Sequence, residues 1–341
     1  MKRNIVKYMS LALLFASASA FTACNDTESV DLIAPSIDGQ NPELYAQYLQ
    51  NLRAYKATDH VLVYAWMDNS NKEPNSRAEH IADLPDSIDV VSLTFPQVMC
   101  DWELQEMNEV RDKKATKFIY DVDFDAIKAD YNALLEVATD EEPVSTDFIG
   151  YLMETLESRL SYYDKFGFDG ICISYQGKST LHMQRDELKE YKANEAAFFN
   201  ILDDWFSRHA GALLVFSGKP ENVANPSMLM DCTSVLVDGT SAKSADGLSQ
   251  AFAMSQTEDA EMLPLGIVVN CFDLADENQV IGYFSDGSYA IDGVAAWAAQ
   301  EHSGVNVYAV GVKGVGSDYY NPQKVYSHLR ALIATVNPPV K

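Results

Sequence analysis

The 341-residue sequence is poor in basic residues, with 25 lysines and arginines against 50 aspartates and glutamates. Its formal net charge of −25 at pH 7 repels phosphate backbones and anionic lipid headgroups. Nucleic acid is therefore not expected as a partner. A neutral ligand such as a sugar is compatible with this charge, although charge alone does not select it.

Several motifs of common enzyme chemistry are also missing. The histidines and cysteines show no metal-ligand spacing, so we expect neither a metal nor another cofactor. No glycine-rich phosphate loop follows the first strand-like run, and no serine nucleophile elbow occurs. Apart from a short run near the start, no apolar stretch approaches the length that spans a membrane.

The first residues have the pattern of a secretory signal. Three basic residues precede an apolar stretch from Met9 to Phe21, and Cys24 follows small residues. This order predicts a signal peptide over 1–23, and a cysteine directly after such a cut is where bacteria attach lipid. We expect a lipid anchor at Cys24, with an ordinary signal peptide and an incidental cysteine as the alternative.

Residues 24–40 are acidic and lack periodicity, which is typical of a linker. This tether resembles the segment after the lipidated cysteine in surface lipoproteins of Bacteroides-like bacteria. The resemblance implies an outer-membrane lipoprotein displayed at the cell surface. Residues 41–341 are expected to form a single domain.

Eight short apolar runs alternate with helical patterns along this domain, which predicts parallel strands covered by helices. Continuous apolar runs fit burial on both faces of each strand. A length of about 300 residues suits a closed (β/α)8 TIM barrel, with a doubly wound open sheet as the alternative. The strands are expected at His60–Trp66, Ile88–Phe95, Lys117–Val122, Gly170–Tyr175, Ala212–Phe216, Ser234–Val237, Leu265–Cys271 and Val305–Val312.

Helices are expected where apolar residues recur on one face or where capping residues stand. Two further segments, Gln97–Arg111 and Ser241–Glu261, are expected to be elaborations of the basic barrel. The cysteines after Cys24 are expected to be buried and to pack as small apolar side chains. One helix is expected to begin at Asn41-Pro42. Three further helices are expected at Ile149–Phe166, Asn194–Phe206 and Tyr326–Val336.

The fourth apolar run carries the most specific pattern. Residues 169–176 read Asp-Gly-Ile-Cys-Ile-Ser-Tyr-Gln. This resembles the signature strand of glycoside hydrolase family 18, the chitinases and endo-β-N-acetylglucosaminidases, which reads Asp-Gly-apolar-Asp-apolar-Asp-aromatic-Glu. Asp169 and the alternation match, whereas Cys172, Ser174 and Gln176 stand at the three chemical positions.

Three weaker similarities support this family. Val268–Asp273 resembles the Asn-Phe-Glu element on the seventh strand of the Bacteroides endoglycosidase-like branch. Gly304–Tyr308 resembles its last strand, although the Tyr-His and acidic pattern there is replaced. Val325–Pro338 resembles its closing helix and Asn-Pro tail.

The resemblance implies a barrel that has lost its catalytic acid. Strand side chains alternate between faces, so Cys172, Ser174 and Gln176 share the inward face, and Gln176 lies at the mouth. In the family, the final glutamate protonates the leaving oxygen and the preceding aspartate holds the substrate's acetamide. Gln176 has no proton to give and Ser174 has no charge, but both keep hydrogen-bonding capacity.

Residues at the C-terminal ends of barrel strands line the mouth and are the candidates for sugar binding. Gln176 and Asn270 are favoured because inward amides need partners. Core packing, helix capping and a turn are the alternative roles for the aromatic and acidic candidates. The full set is Trp66, Asp68, Asn69, Asp121, Asp123, Gln176, Ser217, Asp238, Thr240, Asn270, Phe272 and Tyr308.

The favoured function is that of a surface lipoprotein whose inactive barrel binds N-acetylglucosamine-containing glycans, such as an N-glycan core or chitin-like chain, for a glycan uptake system. An alternative is an active endo-β-N-acetylglucosaminidase-type enzyme in which Asp121 and Asp123, with Asp68, replace the lost acids. A third possibility is a structural partner of an outer-membrane glycan transporter that has no ligand of its own.

Overall fold

The computed structural model describes residues 41–139, 144–256, 263–302 and 306–338. The chain divides into two units, Met1–Tyr48 and Leu49–Lys341. Helix α1 (Pro42–Lys56) begins in the first unit, where Asn41 Oδ1 accepts a hydrogen bond from the Leu44 N–H at 3.1 Å. The expected signal peptide, Cys24 and the tether lie outside the described residues.

Eight parallel strands form a closed barrel in the second unit. Each strand pairs with the next along the chain, and β8 closes the ring against β1. The predicted (β/α)8 barrel is thereby confirmed, and the open doubly wound sheet is wrong. The strands are β1 (Leu62–Met67), β2 (Val90–Leu93), β3 (Lys117–Asp123), β4 (Gly170–Tyr175), β5 (Leu213–Gly218), β6 (Ser234–Asp238), β7 (Leu265–Asn270) and β8 (Ala309–Lys313).

Helices cover the outside of the ring. The segments predicted as elaborations hold most of α2 and all of α7, which are the barrel's own helices after β2 and β6, so that expectation is wrong for their described residues. No helix among the described residues is long and apolar enough to cross a membrane. The helices after α1 are α2 (Asp101–Lys114), α3 (Phe124–Val137), α4 (Phe148–Leu160), α5 (Tyr162–Phe166), α6 (Arg185–Arg208), α7 (Ala245–Met254), α8 (Ala290–Ala298) and α9 (Ser327–Val336).

The strands bury both faces, as their continuous apolar runs predict. Outward side chains pack against the helices in one large core. Inward side chains fill the barrel in a second cluster, so the interior is packed. This inner cluster consists of Tyr64, Trp66, Val90, Ile119, Cys172, Val215, Leu236, Val268 and Ala309.

The end of the chain is attached to the start of the barrel through one amide side chain. Asn337 Oδ1 accepts from the Val61 N–H at 3.0 Å, and Asn337 Nδ2 donates to the Val61 carbonyl at 2.8 Å. This pair imitates the bonding of a neighbouring strand just before β1. The Asn-Pro tail therefore has a structural role in the fold.

Asp169 and Gly170 lie at the N-terminal end of β4, far from the mouth. The Asp169 carboxylate accepts hydrogen bonds from the Phe118 N–H at 2.9 Å and from Arg111 Nε at 3.0 Å. At Gly170, an added Cβ would lie 1.9 Å from the Leu213 carbonyl oxygen. These two motif residues thus fix the junction of β3, β4 and β5.

Replacing Gly170 by alanine should destabilise the barrel, because the new Cβ meets rigid backbone. We expect Gly170→Ala to lower the free energy of unfolding by about 1–3 kcal/mol or more, measured by urea titration. Gly211→Ala is the control, since a Cβ there meets nothing within 4 Å. Equal stability of the two variants would contradict this account.

Candidate functional site

The inward face of β4 leads to the barrel mouth, as the alternation predicts. Cys172 belongs to the inner cluster, whereas Tyr175 packs in the outer core. In register, Asp123 of β3 lies beside Ser174 of β4. Gln176 comes directly after the last residue of β4, so its backbone lies at the C-terminal end of the ring. Polar groups from β3 and β4 therefore converge at the C-terminal end of the ring.

Asp121 forms the centre of a polar network inside the mouth. Trp66 Nε1 donates to Asp121 Oδ1 and Oδ2 at 2.8 and 2.9 Å, and Ser92 Oγ donates to Oδ1 at 2.8 Å. These three residues come from β1, β2 and β3. Trp66 is only 2% exposed, so its ring fills the barrel and cannot serve as an open platform for a sugar.

Lys313 completes this network from β8. Its Nζ lies 5.4 Å from the centroid of the Trp66 ring, and β8 places it in register with both Trp66 and Asn270. Burial raises the pKa of the Asp121 carboxyl above its ordinary value, while the positive charge of Lys313 opposes that shift. Among the described residues, none accepts a hydrogen bond from the Lys313 ammonium. Three N–H donors are thus available at the mouth.

Lys313 was not among the predicted site residues, because the last strand was expected earlier in the chain than it lies. The prediction ended that strand at Val312, whereas β8 is Ala309–Lys313. Tyr308 consequently precedes β8 and lies at the opposite end of the barrel, which corrects its assignment to the mouth. There it lines a cavity of about 850 Å³ with His60 and His302.

Asp123 and Asp125 hold the end of β4 against the start of α3. Asp123 Oδ1 accepts from the Ala126 N–H at 2.8 Å as a helix cap, and Asp123 Oδ2 accepts from Ser174 Oγ at 2.9 Å. Asp125 Oδ2 accepts from the backbone N–H of Gln176 at 2.7 Å. The carboxylates of both residues are therefore engaged. Asp125 is a further residue that sequence reasoning missed, because only the fold brings α3 to Gln176.

Gln176 and Asn270 present amides at the mouth. The Gln176 backbone is held on both sides, since Asn222 Nδ2 also donates to its carbonyl at 2.8 Å. The residue itself is half-buried, as is Asn270 at the end of β7. Neither side-chain amide has a hydrogen-bond partner among the described residues. Ser217, buried on β5, lies in register with Ser174.

The candidates Asp68, Asp238 and Thr240 take part in local turns near the mouth. Asp68 is exposed and accepts from the Ser70 N–H at 2.7 Å in a local turn. Asp238 forms a similar turn by accepting from the Thr240 N–H at 2.9 Å. Both bonds fit the turn role that such residues commonly have.

Asn69 and Phe272 are buried and do not line an open cleft. The Asn69 amide accepts from the Phe95 N–H at 2.7 Å and donates to Glu103 Oε1 at 3.0 Å, which fixes the loop after β1. Phe272 packs in the outer core, with its ring 4.5 Å from that of Tyr289. The expectation of a binding role is corrected for both residues, because neither side chain is free to meet a ligand.

No group of three or more histidine, cysteine, aspartate or glutamate side chains in the described part of the chain could hold a metal ion. Cys172, Cys232 and Cys271 are buried and Cys100 is half-buried, and all four are free thiols. Burial raises the pKa of the Cys232 and Cys271 thiols, the latter to about 12. These thiols are therefore protonated and poor nucleophiles.

The raised pKa of Asp121 predicts a pH-dependent cost to stability. The folded chain holds this proton more tightly than the unfolded chain, whose aspartate keeps the ordinary pKa of 3.8. The stability of the wild type, relative to Asp121→Asn, should therefore fall as the pH rises from 3.8.

Urea titrations of both proteins at several pH values between about 4 and 7 measure this difference. Asp112→Asn, at an exposed position of α2, is the control. A difference between wild type and Asp121→Asn that stays constant or grows in the opposite direction would contradict the assigned shift.

Comparisons with known proteins agree with this architecture. A structure of selenomethionine BT1044 with a glutamate-to-glutamine substitution is 17% identical, with a TM-score of 0.59, and the match covers 89% of this chain and 96% of that one. An apo endo-β-N-acetylglucosaminidase from Cordyceps militaris is 15% identical, with a TM-score of 0.58 and coverage of 86% and 96%. At such identities, these likenesses show the fold alone.

A family 18 chitinase from Chromobacterium violaceum is 11% identical, with a TM-score of 0.51, and the match covers 82% of this chain and 84% of that one. A comparison with curated protein sequences found no match. The family described as glycoside hydrolase family 18, BT1044-like, matches residues 25–335. The chain therefore belongs to the BT1044-like group of glycoside hydrolase family 18.

Proposed function

We propose that this chain is a surface lipoprotein whose catalytically inactive barrel binds N-acetylglucosamine-containing glycans. The observation that carries the proposal is Gln176, an amide beyond the end of β4 whose side chain has no hydrogen-bond partner among the described residues. Both of its backbone polar groups are fixed, so the amide is held at the mouth ready to donate and accept.

The absence of hydrolysis follows from the chemistry of the mouth. An amide has no ionisable proton in the useful range, so Gln176 cannot protonate a leaving oxygen. Asp121 is occupied by Trp66 and Ser92, and Asp123 by Ser174 and the start of α3. Lys313 adds a positive charge, which disfavours a cationic intermediate nearby. The geometry thus supports a binding function over catalysis by a displaced pair of acids.

The same groups suit a neutral sugar. The Lys313 ammonium offers donors, and the amides of Gln176 and Asn270 offer both donors and acceptors. Hydroxyl and acetamide groups of N-acetylglucosamine match this mixture, because each can donate or accept. Membership of the family supports a carbohydrate ligand as the chemical class.

The cell-surface location and the link to glycan uptake rest on the first residues. The basic start, the apolar stretch and Cys24 support export and a lipid anchor. A lipid-anchored glycan-binding protein would hold glycans beside an outer-membrane transporter. The strongly acidic composition agrees with a neutral ligand rather than an anionic one.

Calorimetry and a hydrolysis assay on the same glycans test the proposal. We expect chitobiose and the N-glycan core pentasaccharide to bind without release of any product. Gln176→Ala should weaken binding about tenfold, as expected for loss of one or two hydrogen bonds. Gln105→Ala, at an exposed position of α2, is the matched control and should bind like the wild type.

Two outcomes would overturn this function. Turnover that is abolished by Asp121→Asn or Asp123→Asn would select an active glycosidase with displaced acids. Failure to bind any glycan, together with co-purification of a transporter, would select a purely structural partner.

Restoring the acid alone should not restore hydrolysis. In Gln176→Glu, the residue two positions earlier is still the neutral Ser174, whose hydroxyl donates to Asp123. We expect no product from chitobiose-type substrates in a sensitive fluorogenic assay, with the variant's fold checked by circular dichroism. Robust hydrolysis by this single variant would contradict our account of the missing charge.

A further inference from the structure

A cavity opens at the mouth end of the barrel, outside the ring of strands. It has a volume of about 530 Å³ and lies where β5 and β6 end. One face of α7 forms its far wall through Asp246, Gln250 and Met254, and the turn after β5 forms the near wall. Its size falls within the range of small-molecule sites, about 300–1,000 Å³.

Glu221 is the unusual residue of this cavity. It stands on the turn Pro220–Asn222 and lines the cavity, yet its Oε2 is buried without a hydrogen-bond partner. No described donor reaches the other carboxylate oxygen either. A carboxylate that is partly removed from water and lacks donors is costly, so it normally has a partner. The last side-chain torsion is soft, so rotation can present either oxygen to the cavity.

The turn that carries Glu221 is joined to the end of β4. Asn222, the next residue, donates from Nδ2 to the carbonyl oxygen of Gln176 at 2.8 Å. The Lys219 N–H donates to the carbonyl oxygen of Tyr175 at 2.9 Å. The turn that carries Glu221 is therefore tied to the backbone at the end of β4, next in sequence to a residue that contacts Gln176.

The charges around the cavity favour a neutral ligand that donates hydrogen bonds over an anionic ligand. Asp238 and Asp246 line it together with Glu221, and Lys219 and Lys243 are the lining cations. Lys243 is already used, since its Nζ donates to the Val280 carbonyl at 2.8 Å. A carboxylate accepts well from adjacent hydroxyl groups, which pyranose rings carry in pairs.

We propose that this cavity is a second sugar subsite, in which Glu221 accepts hydrogen bonds from the hydroxyls of a sugar unit that extends from the glycan held at Gln176. This subsite rests on the proposed glycan-binding function and adds to it a preference for extended chains over disaccharides. Loss of Glu221 should therefore reduce affinity only for ligands long enough to reach the cavity.

Calorimetry with two probes tests the subsite. Chitobiose is the short probe, and the N-glycan core pentasaccharide, which contains chitobiose, is the extended one. We expect the wild type to bind the pentasaccharide more tightly. In Glu221→Gln, the Kd for the pentasaccharide should rise about tenfold or more, because a charge-assisted hydrogen bond is lost. The Kd for chitobiose should stay within about twofold.

A matched control variant and thermal unfolding test whether a change in Kd has a cause other than the loss of the Glu221 contact. Glu136→Gln, at an exposed position of α3, should change neither Kd. The Tm of Glu221→Gln should not fall below that of the wild type, because no described residue donates a hydrogen bond to the Glu221 carboxylate. Glu221→Ala provides a second variant with the same expected pattern.

The outcomes separate this subsite from the function on which it rests. If the wild type binds neither probe, the glycan-binding function fails and the subsite fails with it. If the wild type binds both probes equally, or Glu221→Gln leaves the pentasaccharide Kd unchanged, only the subsite is overturned. Equal weakening for both probes also overturns it, because Glu221 would then act at the mouth itself.

Discussion

The buried carboxylate of Asp121 is the constraint on which the barrel mouth depends. Charge inside a packed barrel is tolerated only with donors, and here Trp66 and Ser92 supply them while Lys313 supplies the opposite charge. These partners come from β1, β2 and β8, so one carboxylate on β3 couples half of the ring. Trp66 thereby becomes a structural filler, and Gly311 leaves room for it, since a Cβ there would lie 2.9 Å from its ring.

This network also shapes what the mouth can do. A carboxylate that receives three hydrogen bonds is a poor candidate for proton transfer to a ligand, because it must first give up those bonds. Among the described side chains at this end of the barrel, the Gln176 and Asn270 amides and the Lys313 ammonium form no hydrogen bond. They are binding groups, and the proposed functions of both the mouth and the neighbouring cavity follow from this division between engaged and unengaged polar atoms.

The family motif along β4 has a structural part and a part that lies towards the mouth. Its first two residues are structural: Asp169 accepts from Phe118 and Arg111, and Gly170 lies against the Leu213 carbonyl. Its last position, Gln176, is at the mouth. The half of the motif that matches the family is thus the half that the fold requires, whereas the half that differs faces the site. Packing at the junction of three strands constrains the first half, whereas Gln176, the last position, is half-buried beyond the end of the strand.

The sequence by itself determined the barrel, the inward face of β4 and the position of Gln176. Continuous apolar runs require burial on both faces of each strand, and side chains along a strand alternate between those faces. Only the tertiary structure decided the roles of Lys313, Asp125, Glu221 and Tyr308. Each depends on where a strand ends or on which loops meet, and those are set by pairing between distant segments. The last strand was predicted at Val305–Val312, whereas β8 is Ala309–Lys313. This difference alone placed Tyr308 wrongly at the mouth and left Lys313 out of the predicted site, because the strand register decides which residues lie at each end of the barrel.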